Sequence, residues 1–173
     1  MRAFLSFLSL CATLTLTSPS PAYAVLATGD TAPTRLGRSI DGGSLSLEDY
    51  TNKYVLISFW ATWCKPCREE LPLLDGFQRK FGNERLAVIA INHREDRQAI
   101  RKLLKQFGNL NLTFTTDENG AIGKSYGLKG IPYALLIGPD GKVIEVNVGF
   151  DEKRFLALVQ KAFDLSRAPE NSA

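Results

Sequence analysis

The segment Trp63-Cys64-Lys65-Pro66-Cys67 sets two thiols three positions apart, directly after the apolar run Tyr54 to Trp60. A cysteine where a buried strand hands over to a helix sits among unpaired backbone N–H groups and at the positive end of the helix macrodipole, so its thiolate is favoured. The thiolate is the reactive form of this side chain. A second cysteine three residues on lies on the same helical face, near enough to close a small disulfide ring with the first. The spacing reads as a reversible redox switch. Cysteine arithmetic alone also allows a passive small-loop disulfide. Structural zinc would need four N or S ligands, and beyond the pair the mature chain offers only His93, which is expected as a solvated residue at the polar end of a strand. Copper(I) held by two thiolates, as in a metal-carrier module, stays chemically open.

The elements that must hold the pair can be read on either side of it. Val55 to Trp60 is a continuous apolar run bounded by polar residues, the mark of a central strand buried on both faces. The helix that starts at the cysteines carries Leu71, Leu74, Phe77 and Phe81 at helical spacing and ends at Gly82-Asn83, with Pro72 expected to bend it. Leu86 to Ile91 predicts a second buried strand, and Glu95 to Phe107 an amphipathic helix with Ile100, Leu103, Leu104 and Phe107 on its apolar stripe. Strand, helix, strand, helix implies a parallel core with right-handed crossovers. Further on, Leu112 to Thr115 predicts a short strand and Ala121 to Tyr126 a short helix closed by Gly127. Tyr133 to Ile137 and Val143 to Val148 flank Gly138-Pro139-Asp140-Gly141-Lys142, which predicts an antiparallel hairpin. Asp151 is placed to cap a last helix whose buried stripe is Phe155, Leu158, Val159, Ala162 and Phe163. Val25 to Ser44 reads as a loosely structured lead-in with a short hairpin at Asp41-Gly42-Gly43, and Leu45 to Tyr50 as one helical turn.

At the N-terminus, Arg2 precedes an apolar stretch from Phe4 to Leu16, a break at Ser18 to Pro21, and the small-x-small triplet Ala22-Tyr23-Ala24. This is the pattern of a secretory signal peptide cleaved after Ala24, and the stretch is shorter than the roughly 20 residues that span a bilayer. Cleavage would remove Cys11 and leave Cys64 and Cys67 in an exported chain, where thiols are usually oxidised. The expected division is a signal peptide over 1–24, a single domain over 25–167 and a disordered tail over 168–173. The domain is rich in Val, Ile, Leu and Phe and needs no disulfide scaffold. Lys and Arg total 21 against 18 Asp and Glu, with the signs interspersed and no run of like charge, so nothing points to nucleic acid or a membrane surface.

A strand, a Trp-Cys-x-Pro-Cys helix start, a later Ile-Pro before a strand, a hairpin and a terminal helix together resemble the thioredoxin-like fold. Within it the chain is most similar to the exported TlpA/ResA-like thiol–disulfide oxidoreductases. The resemblance covers Asp30 to Leu165 and rests on the fourteen-residue run from Phe59 to Pro72 together with Gly130-Ile131-Pro132. It implies an α/β fold with a mixed central sheet flanked by helices, an N-terminal extension, and a central insertion at Glu95 to Phe107 with the strand after it. It also implies a nucleophile at Cys64, a resolving thiol at Cys67, an acid at Glu70, and a cis-proline at Pro132 that guides the client backbone. Trp63, Ile131, Pro132 and Tyr133 would form the substrate-binding surface. Trp60 and Trp63 would shield the site and offer apolar contact, and Lys65 would favour the thiolate by its charge. Ser58 stands where thioredoxin has a buried Asp, which leaves Glu70 as the candidate acid, and Tyr133 stands where Thr is commoner, where it would shape the docking groove.

Pro66 before the second cysteine resembles the reducing members of the fold, so the implied activity is reduction of disulfides in exported client proteins. Apocytochrome c and copper-site assembly proteins are the client classes implied, recharged by a membrane electron donor of the thiol–disulfide type, in the periplasm and without a cofactor. A disulfide oxidase or isomerase is the alternative direction. A peroxidase of the related peroxiredoxin group is disfavoured, because its Pro-x-x-x-Thr-x-x-Cys arrangement is missing.

Overall fold

The computed structural model describes residues 25–149 and 151–167. The signal peptide expected over 1–24 and the tail expected over 168–173 lie outside them. Among the described residues seven strands and four helices follow in order: β1 (Arg35–Ser39), β2 (Ser44–Ser46), β3 (Tyr54–Trp60), α1 (Lys65–Phe81), β4 (Leu86–His93), α2 (Arg97–Phe107), β5 (Thr113–Asp117), α3 (Ala121–Ser125), β6 (Tyr133–Ile137), β7 (Val143–Val148) and α4 (Glu152–Arg167). A 3-10 turn over Leu47–Tyr50 links β2 to β3. The strands form one sheet in the order β2-β1-β5-β4-β3-β6-β7. β3, β4 and β5 run parallel, as the alternation of strands and helices implies, whereas β6 is antiparallel to both β3 and β7.

Strand β3 is central and buried on both faces, and its two-residue period sorts its side chains between two cores. Val55, Ile57 and Phe59 pack with Ile89, Ile91, Leu135 and Ile137 under the N-terminal segment and α3. Leu56, Ser58 and Trp60 point the other way. Leu56 packs with Leu74, Phe155, Leu158 and Val159 of α1 and α4, and Trp60 with Cys64, Cys67, Leu71, Ile100 and Phe114. The strand thus carries Ser58 and Trp60 to the layer that also holds the first turns of α1.

Two of the departures from expectation have local reasons. The segment before Ser44 is no loose lead-in: β1 joins the sheet through pairs Arg38↔Thr116 and Ser39↔Thr115, and Leu36 is fully buried. Gly37 permits this, since at φ 105° a Cβ would lie 2.6 Å from the Thr116 carbonyl oxygen. Helix α2 starts at Arg97 rather than Glu95, because Asp96 caps it by accepting from the backbone N–H groups of Gln98 and Ala99. That releases Glu95 for a task in the site.

Candidate active site

Cys64 is the N-cap of α1 and Cys67 its third residue, and the two are joined by a disulfide. Cys64 Sγ accepts the Cys67 backbone N–H at 3.3 Å, the capping contact that Ser or Asp would ordinarily make. Pro66, at the second helical position, has no N–H, so no donor there competes with Cys67 for the cap sulfur. The pair is asymmetric in access: Cys64 is 5% exposed and Cys67 wholly buried. Once reduced, the sulfur at the cap is the one that the helix terminus stabilises as thiolate and the one that solvent and clients reach.

Beneath the disulfide the chain buries a carboxyl group. Glu70 lies one turn beyond Cys67 and is 1% exposed. Burial pushes its pKa up to about 8, since the charged form has lost its hydration. The Ser58 hydroxyl works weakly in the other direction from outside hydrogen-bonding geometry: Ser58 Oγ and both Glu70 carboxyl oxygens have no hydrogen-bond partner among the described residues. Glu69 points away and pairs with Lys65 at 2.7 Å on the surface. The Lys65 ammonium is therefore matched by a carboxylate and 78% exposed, a weak support for a thiolate rather than the one expected of its position.

Around the pair, Trp63 is 69% exposed, and the cis Ile131–Pro132 bond leads into β6 alongside the end of β3. Ile131 packs against the cluster containing both cysteines. Two expected client contacts are corrected. Tyr133 faces the core, 1% exposed, its ring 6.0 Å from Phe59 and its hydroxyl donating to the Tyr126 carbonyl, because the first residue of β6 falls on the inward side of the strand. Trp60 is fully buried, edge-on to Phe114 at 5.9 Å, so only Trp63 of the two indoles can meet a client. His93 is not free in solvent either: its Nδ1 lies 3.3 Å from Asp117, a buried acid that accepts from the Ile122 and Gly123 N–H groups. Among the described residues there is no group of three or more His, Cys, Asp or Glu side chains able to hold a metal ion.

One site residue escaped the sequence reading. Glu95, assigned there to a helix, instead reaches under the loop before Cys64. Its carboxylate accepts the Thr62 backbone N–H at 2.6 Å, the Thr62 hydroxyl, and the Asn92 amide at 2.8 Å. The recognisable signal was the acid immediately before the Asp96 cap, too close to the helix start to belong to it. Glu95→Ala should lower stability by about 1–3 kcal/mol, as donors of Thr62 lose a charged partner, and Glu95→Gln should restore part of it. Hydrogen exchange of the Thr62, Trp63 and Cys64 amides checks this, and unchanged protection in Glu95→Ala would contradict it.

A mixed sheet, a dithiol at a helix N-cap and a cis-proline strand beside it define a thiol–disulfide oxidoreductase of thioredoxin-like fold. A family model described as Redoxin matches residues 27–162. The thiol-disulfide oxidoreductase ResA of Bacillus thuringiensis subsp. konkukian is 34% identical over 128 residues, covering 74% of this chain and 73% of that protein. ResA of Bacillus subtilis is 30% identical over 121 residues, covering 70% and 67%. A solved structure from Chlorobium tepidum, provisionally described as a thiol:disulfide interchange protein DsbE, superposes with a TM-score of 0.73 at 32% identity, covering 82% of this chain and 98% of that one. The chain belongs to the Redoxin family.

Proposed function

We propose that this oxidoreductase is exported to the periplasm and reduces disulfides in client proteins by exchange at Cys64 and Cys67. The asymmetry of the pair carries the reading. Cys64 stands at the cap beside exposed Trp63, whereas Cys67 is buried a turn from Glu70. The Cys64 thiolate attacks one sulfur of the client disulfide, forming a mixed disulfide and expelling the other sulfur as a thiolate. Cys67 gives up its proton and attacks Cys64 Sγ, closing the disulfide and freeing the client's second thiol. Two electrons pass from this protein to the client. Glu70, in its ionised form, receives the Cys67 proton, since Cys67 has no exposed surface. Trp63, Ile131 and Pro132 receive the client backbone.

Export rests on the leader pattern over residues 1–24, and no helix among the described residues is long and apolar enough to cross a membrane. Apocytochrome c is the first client class and a copper-site assembly protein the second, both by similarity to TlpA/ResA-like proteins. A membrane electron donor of the thiol–disulfide type would restore the dithiol. Equilibrating the protein with defined thiol–disulfide buffers, followed by tryptophan fluorescence, should give a reduction potential below about −250 mV. A value of about −120 to −180 mV would identify an oxidant or isomerase and overturn the reductant reading.

A further inference from the structure

Beside the dithiol lies a groove of about 680 Å³. Trp63, Leu128 and Ile131 give it apolar surface, and the exposed Arg94 and Lys129 bring positive charge, with no acidic residue in its lining. The neighbouring carboxylates are committed elsewhere. Asp117 is buried against two backbone N–H groups and His93, Glu118 faces Arg97 at 3.8 Å, and Glu95 holds Thr62 and Asn92. Arg94 takes a left-handed φ of 60°. Its guanidinium lies across Gly120, where a Cβ would come within 2.5 Å of Arg94 Nε. A client disulfide presented to Cys64 must bring its flanking residues over Trp63 and Ile131 and into this field.

We infer that the groove selects client segments carrying acidic residues beside the target cysteine. The inference rests on the reading of Cys64 as the attacking thiol. The cations sit at an exposed rim, so their effect is on encounter and orientation rather than on the chemical step, and salt screens it.

The test uses two cyclic disulfide peptides matched in length and hydropathy, one flanked by Asp and Glu, the other by Lys and Arg, with a neutral third. Each is reduced by the protein in its dithiol form, and each rate is divided by that of the same peptide with dithiothreitol, which removes intrinsic differences in disulfide reactivity. The acidic peptide should react about tenfold faster than the basic one at low salt, and within about threefold at 0.5 M salt. Arg94→Gln/Lys129→Gln, at two exposed positions, should bring the two rates within about twofold while leaving the neutral peptide's rate unchanged. Equal rates in the unaltered protein, or a preference that persists through both salt and the double variant, would overturn the groove assignment and leave the dithiol mechanism standing. Failure to reduce any of the three peptides would overturn the mechanism and the groove assignment with it.

Discussion

In the Cys67→Ser variant the reaction should halt after its first step, leaving protein and client joined by a disulfide that survives non-reducing electrophoresis and is released by dithiothreitol. The serine hydroxyl cannot attack sulfur under these conditions, so nothing expels the client from Cys64. Cys64→Ser should do the opposite, forming no adduct and losing turnover by more than about 10³-fold, because the group at the helix cap is then no longer a thiolate. The difference between the variants follows from access. Cys64 is slightly exposed and holds the Cys67 N–H, while Cys67 has no exposed surface and a client sulfur cannot reach it without opening the first turn of α1. Both variants lose the disulfide equally, so a merely structural role for the bridge would move them together. Adducts formed by Cys64→Ser and not by Cys67→Ser would reverse the assigned order of attack.

Where apolar periodicity and turn chemistry are strong, the fold was legible in the sequence. The VLISFW run, the stripes of α1 and α4 and the Gly138 to Lys142 turn each declare an element by local pattern, and β3, α1, α4 and the β6–β7 hairpin lie where that pattern puts them. Strand β1 was opaque for a physical reason. Its burial rests on one apolar side chain, Leu36, and on the close backbone approach at Gly37, neither of which produces a period. The spacing of the cysteines and of Glu70 likewise follows from one helix, so their common face was readable. Tyr133 and Glu95 were not: which way the first residue of β6 faces is set by its register with Phe59, and Glu95 meets Thr62 across 33 positions of sequence. Contacts of that kind belong to the tertiary structure, and a hydropathy pattern carries no record of them.

Replacing Glu70 by Gln should slow resolution of the mixed disulfide by about 10²-fold near neutral pH and remove an inflection near pH 8 from its rate profile. A carboxyl whose pKa has risen to about 8 lies far nearer the thiol range than an ordinary carboxylate, so in its ionised form it takes a proton from a thiol much more readily. An exposed carboxylate near 4.5 would be a far weaker base. The same burial has a consequence for stability whose sign is opposite to that of a salt-bridged acid. The folded pKa, about 8, lies above the unfolded value, so between about pH 4.5 and 8 the folded protein binds more protons than the unfolded chain, and stability falls as pH rises. The loss from this group alone reaches up to about 5 kcal/mol above pH 8. Glu70→Gln keeps the shape and removes the titration, so denaturant unfolding of the oxidised protein at pH 5, 7 and 8.5 should find the variant's advantage growing with pH. The two readouts separate the roles: a variant that gains stability at high pH but resolves its client at the normal rate would mark Glu70 as a buried acid with no part in the exchange. Slow resolution with a pH-independent stability difference would mean that the carboxyl is already hydrated in the oxidised protein, and the pKa of about 8 would be wrong. Proton transfer at Cys67 is supported only if both changes occur together, since one physical fact, a carboxyl without partners under a buried thiol, underlies them.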